Sequence, residues 1–498
     1  MTISGVSPTV SPLLQSVLNI NAKLNELQRQ LGSGQKSTVY SGLGAQSGVA
    51  VALSAQLAAL GSYDDTITNV GTTIALQQSV LQQIASVGNT VQTSTAQPKF
   101  AIDASGQTTQ QKTAQAQLNQ ILNALNAQGG NGYLFSGSAL NQPSVETTDH
   151  ILNGNGSAAG LTQVIAERNL ADLGANGLGR LDIPAASGSN VSISEESPAT
   201  VFGMKLSGVS STLTGATVTG PTGSPAGISV ALGSNVNNGD KITFTFALPD
   251  GTSQTLSLQA TTSATPGVNQ FTIGGSAGAT AINLQAALTA GVSQIGSTSL
   301  SAASAMAASD NFFDDPPQRV SGSPATATAL VNGTSANTVS WYTGANTTGS
   351  IRSTAMARVD QTTSVSYGTQ ANEQGIRWIV QSVAALAATT YAASDPNASA
   401  NYAALNQRVY SALSVPPGIQ NITDIQASLA NAQTAMSAAK DRHAQTATTL
   451  SDFLQSIEGV DTASIGVQLL SLQTSLSASL SMTARLSQLN LLNYLGPA

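Results

Sequence analysis

From Ile422 to Leu495 a core-type position recurs at alternating steps of three and four. It falls on Ile425, Leu429, Ala432, Met436, Ala439, His443, Thr446, Leu450, Phe453, Ile457 and Val460. After a break at Gly459–Ser464 a second stripe runs through Ile465, Leu469, Leu472, Leu476 and Leu480. This spacing holds one apolar stripe on one side of an α-helix, as in a coiled coil or long helical hairpin. No Pro interrupts it before Pro497, so long helices are permitted. A lone helix cannot bury such a stripe. The chain must supply a partner surface.

The same seam opens the chain: Leu13, Val17, Ile20, Leu24, Leu27 and Leu31, ended by Gly32-Ser33-Gly34. A second helix is predicted at about 49–91, with its stripe on Leu53, Leu57, Leu60, Tyr63, Ile67, Val70 and Ile74, then Gln77, Leu81 and Ile84. A third is expected at about 108–127. Between the ends, about 142–352, Gly, Pro, Asn, Ser and Thr punctuate short alternating runs. The clearest is Ile242, Phe244, Phe246 and Leu248, then Pro249-Asp250-Gly251, then Leu256 and Leu258, which reads as a β-hairpin. A short helix is expected at 280–288, a strand at 359–366, and helices at 373–393 and 402–413.

The implied fold class is α+β. Long antiparallel N- and C-terminal helices form a coiled-coil core, and β-rich domains are inserted between them. The expected division is 1–48 (core helix and spoke-like segment), 49–141 (helical bundle), 142–358 (β-rich outer region), 359–421 (return segment and helix) and 422–498 (C-terminal bundle and core helices).

Charged residues make up 8% of the chain and aromatics 4%, with a net charge of −7. That gives no basic footprint, so nucleic acid is not an expected partner. Cysteine is absent, which excludes disulfides, thiolate catalysis and Cys-ligated zinc. Residues 1–16 show no signal-peptide pattern, so if the protein is exported the expected route reads no cleaved signal. No stretch is read as approaching a membrane span of ~18 apolar residues, and no membrane partner is expected.

No catalytic set emerges. The two histidines, His150 and His443, are remote in sequence, and His443 sits on the seam as a packed helix residue. Gly274-Gly275-Ser276-Ala277-Gly278 matches the nucleophile-elbow pattern, but no apolar parallel strand precedes it. The acidic pairs Asp64–Asp65, Glu195–Glu196 and Asp314–Asp315 are adjacent, so their side chains diverge and read as solvated faces or turns. No catalytic, metal or cofactor site is expected, and no enzyme.

Three segments carry a family resemblance. Leu24-Asn25-Glu26-Leu27-Gln28-Arg29-Gln30-Leu31-Gly32-Ser33-Gly34-Gln35-Lys36 is similar to a heptad helix ending in a small-Gly-basic turn. Asn131-Gly132-Tyr133-Leu134-Phe135-Ser136-Gly137 and the Leu472–Leu495 helix, finishing Leu491-Leu492-Asn493-Tyr494-Leu495, complete the pattern. Together they resemble bacterial flagellin and its relative the flagellar hook–filament junction protein (hook-associated protein 3), over about 11–137 and 359–495. Two departures stand out: residues 35–48 lack an acidic pair, and 77–84 lack an Arg-rich patch, which argues against innate-receptor activation.

The resemblance implies an extracellular structural subunit that self-assembles into the helical flagellar filament for motility, with the central region on the outer surface. The alternative is the junction protein linking hook to filament; a surface adhesin or carbohydrate-binding protein stands behind both. Copies of the chain, other flagellar axial proteins and an export chaperone are the implied partners. The expected assembly interface is Leu13, Val17, Ile20, Leu24, Leu27, Leu31, Leu469, Leu472, Leu476, Leu480, Leu486 and Leu489. Unpaired apolar seams suit a subunit that buries them against its copies, and a non-closing contact repeated along a screw axis makes a filament.

Overall fold

The computed structural model describes residues 12–130, 132–415 and 418–494, with the side chains of residue 13 and of 486–494 outside the description. The chain forms two units. The first comprises Met1–Val70, Ala357–Val365 and Thr434–Ala498; the second comprises Gly71–Met356 and Ser366–Gln433. The described helices are α1 (Pro12–Ser33), α2 (Ser47–Thr95), α3 (Thr109–Leu125), α4 (Thr148–Asn153), α5 (Leu161–Leu173) and α6 (Ala277–Ile295). After them come α7 (Ser301–Phe312), α8 (Gln374–Ala388), α9 (Ala398–Leu413), α10 (Ile422–Glu458) and α11 (Thr462–Tyr494).

In the first unit α1 packs on α11. Leu24 and Leu27 are buried with Ile465 and Leu469, and Ile20, Val460, Leu472 and Leu476 close over them. Gln35, just past α1, bridges Gly459, just before α11, whereas Ile20 and Leu472 line a shared groove farther along. The two helices therefore run antiparallel, and each offers the other the surface it could not provide alone.

The stripe of α2 falls where the spacing predicts: Leu53, Leu57, Leu60 and Tyr63 are half-buried, and Ile67 and Val70 are buried. The stripe of α10 holds through His443 and again at Leu450, Ile457 and Val460, but at two positions between them the inward place falls one residue later. Thr446 and Phe453, expected inside, are exposed, while Ala447 and Leu454 are half-buried in their place. A strict three/four alternation assumes 3.5 residues per turn, whereas a straight helix has 3.6, so the inward face drifts by ~20° per heptad. The 11-residue step from Met436 to Ala447 absorbs that drift. Likewise the strand expected at 359–366 is broken by a tight turn, in which the Val359 and Asp360 amides both donate to the Thr363 carbonyl.

A second correction concerns apolarity. The helical stretch Tyr40–Thr95 is long and apolar enough to cross a membrane by length and composition: 18 of its residues average a hydropathy of 1.4 with only 6% of them buried. Gly, Ser and Gln interrupt the aliphatics in this part of the sequence, which hides the run from a count of consecutive apolar residues.

The second unit contains two four-stranded sheets. The expected hairpin is present: Lys241–Ala247 pairs antiparallel with Ser253–Thr261, placing Phe244 opposite Leu256. The Thr252 amide donates to the Asp250 carboxylate in the turn, and Gly251 takes the left-handed conformation (φ +80°) that glycine adopts without strain. Lys205–Ser211 and Gln270–Thr272 flank the hairpin; the other sheet orders Leu181–Asp182, Asn190–Glu195, Gly227–Leu232 and Ala216–Thr222. Alternate residues of both sheets, including Phe244, Phe246, Ile193 and Val230, share one core with Leu284, Leu288 and Val292 of α6.

Helices α5 and α7 lie in the stretch read as β punctuation, and α6 is longer than expected. The sequence of α7 is mostly Ala and Ser, which shows no aliphatic stripe. Its buried Ala302, Ala303, Ala305 and Ala308 instead let neighbouring helices approach closely. Helix α8, buried along most of its length from Ile376 to Ala388, carries the second unit's helical core.

Candidate assembly interface

The segment after α1 ties three chain segments together. The Lys36 amide donates to the Glu458 carbonyl at 2.7 Å and the Val460 amide to the Gly34 carbonyl at 3.1 Å. The Lys36 ammonium donates to the carbonyls of Ile457 (2.7 Å) and Ser456 (3.2 Å). These carbonyls end α10, where no further turn of helix can satisfy them and the helix dipole is negative. Gly34 makes the bend with φ +70°.

Among the described residues of this unit His443 is the buried polar side chain, 3% exposed. Its Nδ1 lies 2.7 Å from Asp64 Oδ1, its ring is 6.0 Å from that of Tyr63, and its Nε2 has no partner among the described residues. Asp64 thus has a specific role in joining α2 to α10, beyond the solvated face its sequence suggests.

The expected interface positions separate into two sets. Leu24, Leu27 and Leu469 are buried within the chain, and Val17, Ile20, Leu472 and Leu476 are half-buried. Leu31 and Leu480 stand 43% and 52% exposed. The side chains of Leu13, Leu486 and Leu489 lie outside the described residues. The seam spacing identifies the stripe that joins α1 to α11; it does not identify what lies on their outer faces.

Those outer faces are apolar too. Leu14 and Leu18 of α1 are exposed, as are Val467, Leu470 and Met482 of α11. Val39, Tyr40, Val49 and Val51 add to them on the stretch around the start of α2, and Phe453 on α10. Of the 21 large hydrophobic side chains exposed among the described residues, 12 belong to the first unit, which holds 144 of the 498 residues. An enrichment of this order marks a surface built for contact. Sequence signal for it exists: residues 37–63 contain no Asp, Glu, Lys or Arg.

The remaining chemical candidates have structural uses. Ser276 caps α6, its hydroxyl accepting from the Ala279 amide at 3.2 Å, which accounts for the Gly-x-Ser-x-Gly match. His150 pairs with Glu146 at 2.9 Å. Asp314 bonds Arg377, and Glu196 bonds Arg180. Among the described residues no three or more acidic or histidine side chains gather as a metal site.

Residues 10–139 match the family described as bacterial flagellin N-terminal helical region, and residues 415–495 match the bacterial flagellin C-terminal helical region. The chain belongs to the bacterial flagellin family. No curated protein matches it. As a flagellin it is a structural subunit of the flagellar filament, exported to the cell exterior, in a family that forms helical polymers and is structural rather than enzymatic. The two matched regions contain α1 and α11, the antiparallel pair, together with α2, α3 and α10.

Proposed function

We propose that this flagellin polymerises through the outer apolar faces of its first unit and carries its second unit on the filament surface. The supporting observation is the concentration of exposed large hydrophobics in that unit, flanking the charge-free run 37–63. In this reading Leu24, Leu27 and Leu469 hold the subunit together, whereas Leu31, Leu480 and their exposed neighbours meet other copies. Contact between copies also accounts for the apolar, little-buried start of α2 without a membrane. Other axial proteins and an export chaperone are the further partners, the latter covering the same faces before assembly.

The experiment is seeded polymerisation of the purified chain near neutral pH, read by negative-stain microscopy. Uniform tubes are expected, and Leu480→Asp, which places a charge in a contact meant to be dry, should abolish them. Normal tubes from Leu480→Asp would refute the interface. A chain that forms no tubes alone, yet joins hook to a second flagellin, would instead be a junction protein.

A further inference from the structure

The second unit contains a pocket of about 690 Å³, within the size range of small-ligand sites, which assembly of the first unit does not explain. It opens between the turn of the 241–261 hairpin and helices α7, α8 and α9. Trp378 and Gln381, three residues apart on α8, share the helix face that forms one wall. The Trp378 indole is fixed by its Nε1–H, which donates to the Ala412 carbonyl at 2.6 Å. Met306 and Ala307 supply apolar lining, and Asp310 and Arg408 supply charge.

The polar groups are incompletely satisfied in a consistent direction. Gln381 is 4% exposed; its Nε2 donates to Asp310 Oδ1 at 3.1 Å, but its Oε1 has no partner among the described residues. A buried acceptor left in this way is destabilising unless something donates to it. Asp310 has no ion-pair partner among the described residues, so a second acceptor stands beside the first. The two cations of the lining are already engaged: Arg408 with Asp250 at 2.8 Å, and Arg168 with Asp172 at 2.7 Å and Asn311 at 2.8 Å. So paired, they offer no free cation to an anionic ligand.

We propose that this pocket binds a neutral saccharide. A sugar ring has an apolar face that stacks on a fixed indole and a rim of hydroxyls that donate to closely spaced acceptors, here Gln381 Oε1 and the Asp310 carboxylate. A free carboxylate ligand meets an unpartnered amide oxygen and a carboxylate without an ion-pair partner, and is repelled. A small organic cation competes only for the Asp310 carboxylate and gains nothing from Gln381 Oε1, which needs a donor, so choline is the control that separates the two readings.

The test titrates the tryptophan emission of the full chain with maltotriose, cellotriose, chitotriose and mannotriose, and separately with choline, up to about 10 mM. Trp341, the other tryptophan, is buried and its Nε1–H bonds the Phe313 carbonyl, so a ligand-dependent change reports Trp378. At least one trisaccharide is expected to give a saturable change. Gln381→Met and Asp310→Asn, both shape-conserving, are expected to weaken it by roughly ten-fold or more, with circular dichroism melting unchanged. No saturable response to any trisaccharide, an unweakened response in both variants, or a response to choline alone would overturn the proposal. Tube formation by the same variants separates this site from the assembly surface, because neither residue belongs to the first unit.

Discussion

Leu470 and Leu27 belong to the two helices that pack together at the chain's ends, yet they should fail in different ways when replaced. Leu470 is 66% exposed and Leu27 2% exposed. Burying a leucine fully is worth about 2 kcal/mol, so contact with another copy can still draw roughly 1.3 kcal/mol from Leu470. Leu470→Ser removes that from assembly and little from the isolated chain. Since 1.4 kcal/mol corresponds to a factor of ten, the critical concentration for polymerisation should rise roughly ten-fold. Leu27→Ala instead opens a cavity between α1 and α11 and costs the single chain about 2–5 kcal/mol. Sedimentation of seeded polymer gives the critical concentration, and circular dichroism gives the helix content of the unpolymerised chain. Leu470→Ser should raise the first and leave the second; Leu27→Ala should lower the second. A wild-type threshold for Leu470→Ser, or equal loss of helix in both variants, would refute the division into inward and outward apolar positions.

Other outcomes follow from individual contacts. Asp64→Ala leaves buried His443 with neither ring nitrogen partnered by Asp64 and should cost about 1–3 kcal/mol, read from the urea midpoint of the helical signal. Ser276→Ala should remove about 1 kcal/mol from the second unit by uncapping α6; loss of an ester-hydrolysing activity in this variant would show that the hydroxyl does more than cap. Asp240 accepts from the Thr214 (2.9 Å) and Asn237 (2.8 Å) amides, and these bonds, Thr214's first, hold its carboxyl below the ordinary 3.8. A depressed acid contributes stability above its unfolded value that is lost as pH falls through the folded one. Asp240→Asn should therefore flatten the fall in stability below pH 3.8, measured by urea midpoints across that range.

The fold was legible where spacing alone carries it. The α2 stripe, the end of α1 at Gly32–Gly34 and the 241–261 hairpin follow from periods of 3.6 and 2 and from glycine's conformational freedom. The one-residue slips in α10 at Thr446 and Phe453 were not legible, because a heptad template and a straight helix agree for two or three repeats and then part. Helix α7 escaped because alanine packs by being small, not by forming a stripe. The exposed apolar positions Leu14, Leu18, Val467 and Leu470 lie off the seam. Sequence periodicity ranks one face as inside; only the packed pair shows that the other face is also apolar. The saccharide pocket draws residues from α5, α7, α8, α9 and a β-turn, a convergence no local pattern encodes.

The uncharged run 37–63 has a consequence for how the fibre responds to its surroundings. With no Asp, Glu, Lys or Arg in it, contacts made there give dissolved ions nothing to screen. Their strength comes from water released by apolar surface, which fades on cooling and grows when sulfate is excluded from the protein. Fibres joined through this stretch should loosen on ice, tighten in sulfate and stay indifferent to moderate sodium chloride.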